Sequence, residues 1–269
     1  MGLILGMQCI QGDSFVRDPA RLARLAELVT DTRWLYRFKL LSTVWQWGNP
    51  PAPRFPGVIP AAKLRETTFE ALSSSSVASA LLGISTKDSL DHAHFQINLA
   101  RDLPDPAASS NARVRLPDGV DRDKAATAWV ELQHAIVETL GAIHGVIVTG
   151  TNEYVVNAEI WLSLTTVDGK VMHPRPEEIN SYAARKWLLG HAHVRRPRWG
   201  TYLKPAHVEA VGGRERIVEV VQPEVTREVG DLFYVQLTAR VSEATSDLAK
   251  QRYRAFAELL APITMPPAP

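Results

Sequence analysis

The chain is short of the features that mark secreted, membrane-spanning or metal-stapled proteins. It has one cysteine, Cys9, so no intrachain disulfide can form. Its place beside Met7 and Ile10 predicts a reduced, buried thiol. No stretch supplies the roughly 18–20 consecutive apolar residues that a transmembrane helix needs. The segment from Met1 to Ile10 has neither the basic region nor the uninterrupted apolar core of a secretory signal, and Asp13 follows at once. A cytoplasmic protein is the expectation. Charge of one sign is lacking too: 30 Lys plus Arg stand against 29 Asp plus Glu, a net +1. That balance gives no general attraction to nucleic acid or to anionic membranes, and neither is expected as a partner.

What is present is apolar material in quantity. With 45% hydrophobic residues over 269 positions, the chain can build a large core without a metal or disulfide staple. Gly2 to Ile10 reads as a buried strand, and Asp18-Pro19 as the start of a helix with Leu22, Leu25 and Val29 on one face. Prolines interrupt Pro50 to Pro60, and Ser73 to Ser76 is a surface break, with Trp45 and Trp47 anchoring the irregular segment. His92 to Leu99 alternates as a strand. Asp102 to Gly119 reads as a polar, proline-containing connection. Asp121 then caps a helix carrying Ala125, Trp129, Leu132, Ile136 and Leu140, which Gly141 stops.

Strands follow at His144 to Thr149 and Val155 to Leu164, with Thr149 to Asn152 as the turn between them. A helix is expected from Pro176 to Leu189, and a short one from Pro205 to Val211 ended by Gly212-Gly213. Ile217 to Val221 is a candidate edge strand, and Phe233 to Val241 a stronger strand. A final helix places Ala249, Tyr253, Phe256 and Leu260 on one stripe and stops at Pro262. The pattern gives an α+β fold, an antiparallel or mixed sheet packed with helices, with room for two sheet subregions. A single domain over residues 1–263 and a flexible proline-rich tail over 264–269 complete the expectation.

No catalytic motif emerges. His92 with His94, and His191 with His193, are pairs of nearby imidazoles, but alternate residues on one strand do not make a tetrahedral site, and no cysteine cluster completes one. No metal and no cofactor are expected. Acid–base chemistry would have to draw on His94, His144, Glu153 and Glu159, whose spacing specifies no reaction. Ser75, Ser76 and Cys9 have no matched nucleophile constellation, and Gly141 to Gly150 holds no phosphate-loop lysine. The sharper feature is Arg195-Arg196-Pro197-Arg198-Trp199. Its guanidinium groups suit directional recognition of an acidic protein partner, with Trp199 as an adjacent anchor or a support for the fold.

Trp199-Gly200-Thr201-Tyr202-Leu203, then Gly212-Gly213, then Tyr253-Arg254-Ala255-Phe256 leading to Leu260-Ala261-Pro262 resemble a C-terminal pattern of bacterial immunity proteins. That pattern belongs to the type VI immunity family with an uncharacterised-function domain and the related immunity protein 52 group. The resemblance runs from about Ala125 to Ile263, and the proline-rich N-terminal portion departs from it. It implies a protein that neutralises a cognate toxin delivered between bacteria by binding it directly, and it transfers no catalytic residue. A non-enzymatic binder of a cognate toxin is the leading expectation from the sequence, and a small-molecule acid–base enzyme the other.

Overall fold

A computed structural model of the chain describes residues 3–11, 18–31, 39–45, 61–73, 79–86, 89–98, 109–116, 119–152, 156 and 192–265. Its centre is β1 (Leu3–Gln11), whose residues from Ile4 onward are all buried. Both faces of this strand meet apolar layers, which is why Gly2 to Ile10 reads as a run rather than an alternation. Leu5, Met7 and Cys9 enter the main core. On the opposite face Ile4 packs with Val148 and Val156, and Ile10 with Ile143 and Met265.

Eight further strands extend this centre into one nine-stranded sheet rather than two subregions. They are β2 (Lys39–Trp45), β3 (Ser79–Thr86), β4 (Ser89–Asn98), β5 (Ser109–Leu116), β6 (Ala142–Gly150), β7 (Gly200–Leu203), β8 (Val225–Val229) and β9 (Leu232–Gln236). Their order across the sheet is β2-β3-β4-β5-β1-β6-β7-β9-β8, and each neighbouring pair is antiparallel. The edge strand β8 exposes Thr226, Arg227 and Glu228, and charge at an edge discourages pairing with other chains.

Three helices gather on the Cys9 face: α1 (Pro19–Val29), α2 (Ala61–Ser73) and α3 (Arg122–Thr139). Asp18 caps α1 by accepting the Ala20 N–H at 3.0 Å, with Pro19 at the first helical position. Asp121 caps α3 by accepting from Lys124 N at 3.1 Å, and Gly141 at φ 58° ends it. α1 packs on α2 and α3, and α3 lies against β1, β6 and β8. Beyond β7 come α4 (Pro205–Ala210), α5 (Arg214–Val221) and α6 (Asp247–Leu260). His207 of α4 meets His144, which shares a sheet face with Ile10 and not with Cys9. α4 therefore lies on the face opposite α3, with α5 packed on α4 and α6 on α5. No helix among the described residues is long and apolar enough to cross a membrane.

Four expectations change. The connection read over 102–119 contains β5, a strand between β4 and β1. Its polar Ser110, Asn111 and Arg113 are buried, and they masked the alternation of Ala112, Val114 and Leu116. Ile217 to Val221 is not an edge strand but part of α5. Only Ile217 and Val221 are buried while Val218 and Val220 are exposed, a four-residue period that outweighs the β-branched composition. Val156, expected in a strand, is helical and donates its N–H to Asn152 O at 3.1 Å. Thr264 and Met265, expected in a flexible tail, are tied to Val194 by a parallel bridge and a 3.0 Å hydrogen bond. Trp47, the Ser74–Ser76 break, the Pro176 to Leu189 helix and residues 266–269 lie outside the described residues.

Candidate functional site

The densest chemistry forms where α3 crosses β7, β9 and β8. Register places Tyr202 of β7 opposite Gly145 of β6 and Tyr234 of β9, and Tyr234 opposite Arg227 of β8. The four residues form one row on the α3 face. Glycine makes the row possible at two points. A Cβ on Gly145 would stand 3.2 Å from the Tyr202 ring, and one on Gly200 would stand 2.5 Å from Tyr234 Oη. The two tyrosine rings lie 4.6 Å apart, and His134 of α3 stands edge-on to both, at 5.6 Å from Tyr202 and 4.5 Å from Tyr234. Burial pushes both phenols well above their ordinary range, so both stay protonated. Burial also pulls His134 down to about 4, leaving the imidazole neutral at pH 7.

Beside this cluster is a cavity of about 120 Å³. Its floor includes Trp199, Tyr234, Gln236 and His134, all buried, and exposed Thr127, Glu131 and Arg227 stand at its mouth. Arg227 Nη1 donates to both Glu131 oxygens at 2.7 Å, joining β8 to α3. Both partners are about half exposed, so this ion pair adds little stability and is open to exchange. At the far end Asp123 accepts from Ser242 N at 2.9 Å and Oγ at 2.8 Å, which holds the turn that follows β9.

Of these residues the sequence singles out only Trp199, although Tyr202 and Tyr234 fall in segments read as ordered. His134 sits among apolar α3 positions, and only the pairing of β7 with β9 places both rings under it.

The other residues that the sequence singles out are placed elsewhere. Arg195, Arg198 and Trp199 are buried, leaving Arg196 as the half-buried member of the basic run. Arg198 donates through Nη1 to Pro197 O at 2.9 Å and to Tyr253 Oη at 2.8 Å. The Trp199 indole donates to Thr238 Oγ1 at 2.9 Å. The run packs β7 against α6 and the segment after β9.

His144 is fully buried on β6 and lowered to about 3, by burial first and then by the neighbouring His207. His94 occupies β4, opposite Arg113 of β5, which in turn faces Gly6 of β1. It is thus three strands from β6, about 14 Å at the usual strand spacing, so His94 and His144 are not brought together. Glu153 and Glu159 lie outside the described residues. Among the described residues no group of three His, Cys, Asp or Glu side chains is placed to hold a metal ion.

No family model and no curated protein sequence matches the chain. Among solved structures the fold is found in the T6SS protein PA0821 of Pseudomonas aeruginosa, with a TM-score of 0.58. The likeness covers 97% of this chain and 73% of that one at 11% identity. At that identity what is shared is the fold. The structure also explains what the motif residues do. Trp199, Tyr202, Leu203 and Phe256 are buried, Gly212 and Gly213 take φ of 96° and 94°, and Tyr253 receives Arg198. The motif is a packing signature of the C-terminal half.

Proposed function

We propose that this chain is an immunity protein of a type VI secretion system, which binds a cognate toxin and blocks it. The observation that carries the reading is the likeness of fold to a T6SS protein over 97% of the chain. Beside it stands the motif from Trp199 to Leu203 and from Tyr253 to Pro262, of which Trp199, Tyr202, Leu203, Phe256 and Leu260 are buried in the core. Neutralisation by binding requires a surface rather than a catalytic centre, and a stable complex would bury about 1,000 Å² or more in total. The toxin would be inhibited by occlusion of its catalytic cleft or by the holding of an inactive conformation.

The test is co-expression with effector proteins encoded beside the chain's own gene. Copurification of one effector as a stable complex, with loss of its toxicity in cells and of its activity on reconstitution, is the expected result. Failure to bind or to inhibit any neighbouring effector overturns the assignment.

A further inference from the structure

His134 holds a hydrogen-bond donor that no described residue uses. The Tyr202 hydroxyl, fully buried, lies 2.8 Å from His134 Nδ1, which is its only acceptor among the described residues. If Nδ1 carried the proton, the Tyr202 O–H would be left without an acceptor in the core, a costly arrangement. The satisfied arrangement has Tyr202 donating to Nδ1, which puts the imidazole proton on Nε2. The network thus assigns the Nε2–H tautomer. Nε2 has no hydrogen-bond partner among the described residues, although His134 is only 7% exposed and helps to line the cavity.

The other donors on the cavity floor are committed. Tyr234 donates to Gln236 Oε1 at 2.7 Å, Gln236 Nε2 to Thr238 O at 2.8 Å, and Trp199 Nε1 to Thr238 Oγ1 at 2.9 Å. The cavity therefore offers one imidazole N–H inside and, at its mouth, the Glu131 carboxylate in its exposed, exchangeable pair with Arg227. A guest that fits both has an acceptor oxygen at its tip and N–H donors behind it. Asp123 and Glu131 outnumber Arg227 in the lining, and this net negative charge disfavours a carboxylate guest, while a cationic guest would bring no acceptor to His134. A neutral primary amide carries both groups, and about 120 Å³ is of side-chain size.

We propose that the α3–β8–β9 cavity is a receptor for an uncharged carboxamide, the side chain of a glutamine or asparagine presented by a protein partner. The carbonyl oxygen accepts from His134 Nε2–H, the amide N–H groups turn to Glu131, and the aliphatic stem lies against Trp199 and Tyr234. Only the source of the amide rests on the partner-binding function proposed above; the cavity and its donor do not.

The experiment is NMR titration of the isotopically labelled full chain with N-acetylglutamine methylamide, followed at the His134 imidazole and the Trp199 indole N–H. Saturable shifts at both groups are expected, with a dissociation constant on the order of millimolar for so small a probe. Acetate and ethylammonium at equal ionic strength should leave both groups unmoved. Glu131→Gln should weaken binding about fivefold. Thr127→Trp, an exposed substitution that fills the mouth, should abolish it while the thermal transition stays in place.

No shift at either group, or a response to acetate or ethylammonium as strong as that to the amide, overturns the assignment. So does unchanged amide binding in Thr127→Trp. In a reconstituted toxin complex, Thr127→Trp should cost at least tenfold in affinity, and unchanged affinity overturns the partner side chain as the source. A chain that binds the amide but no neighbouring effector refutes the immunity function alone, and a chain that neutralises its toxin without binding the amide refutes the cavity alone.

Discussion

His144 on β6 accepts the backbone N–H of Arg195 at its Nε2, 3.0 Å away, and through Nδ1 donates to the Tyr202 carbonyl at 2.7 Å. One imidazole thus joins the loop before β7 to β7 itself, in a fully buried site. His144→Phe keeps the ring volume and removes both bonds, taking from the buried Arg195 N–H its imidazole acceptor. A loss of about 2–5 kcal/mol is expected, read as a lower urea midpoint at unchanged slope. A loss under about 0.5 kcal/mol would show that these bonds are not holding the loop.

The same burial makes stability depend on pH. His134 and His144 are lowered from 6.5 to about 4 and about 3 in the folded chain, whereas in the unfolded chain they titrate near 6.5. Between those values the unfolded state binds more protons. Stability is therefore full above pH 6.5 and falls as the pH drops toward 4 and 3, by up to about 1.4 kcal/mol per unit for each histidine. Urea midpoints at pH 7.5, 6.5, 5.5 and 4.5 read this directly, and in His144→Phe the slope should shrink. A flat profile would mean that neither ring is held neutral.

Gly200→Ala places a methyl group 2.5 Å from Tyr234 Oη and 2.9 Å from its Cε2. Tyr234 is fully buried and bonded to Gln236, so the ring has little room to give. Overpacking of this kind costs about 1–3 kcal/mol. Thermal unfolding checks it, and Gly200→Ala with Tyr234→Phe should recover part of the loss.

Gln133 on α3 is 0% exposed, and neither amide atom has a hydrogen-bond partner among the described residues. Burial of an unpaired amide is unfavourable. Gln133→Met, of similar length, should raise stability by about 1–2 kcal/mol. Destabilisation would reveal a polar contact that the fold depends on.

Arg198 and Arg196 should separate cleanly. Arg198→Ala removes the donors to Pro197 O and Tyr253 Oη together with a guanidinium 5.9 Å from the Tyr253 ring centroid. It should lower stability by about 1.5–3 kcal/mol. Arg196→Ala, at a half-buried position, should change it by less than about 0.5 kcal/mol. Equal effects in calorimetry would contradict the packing role of Arg198.

Much of this architecture was legible where one period ruled a segment. The runs at β1 and β6, the caps Asp18 and Asp121, the helical stripe through Tyr253 and Phe256 and the paired glycines after α4 all carry local signals. β5 was lost because an interior strand buried Ser110, Asn111 and Arg113 among its neighbours, and a polar residue in sequence does not announce that it will find partners. α5 was misread because Ile217, Val218, Val220 and Val221 are β-formers by composition, while only their spacing reports the helix.

The candidate site was hidden for a different reason. His134 and Tyr202 are 68 positions apart, and the unused Nε2 proton follows from a bond that exists only once α3 lies over β7. The basic run at Arg195 to Trp199 stood out because arginines side by side suggest a surface, yet three of its four candidate side chains turn inward.

The place of β1 in the middle of the sheet also sets a schedule for synthesis. Its neighbours are β5 and β6, so β1 cannot pair until Leu116 and then Gly150 have left the ribosome. At about 5–20 residues per second, that wait is on the order of ten seconds. Through it an apolar strand with two sticky faces stays uncovered, and so does Cys9, whose thiol burial later pushes up to about 12. Until then β1 is open to aggregation, chaperone capture and thiol oxidation, although it ends buried from Ile4 onward at the middle of the sheet.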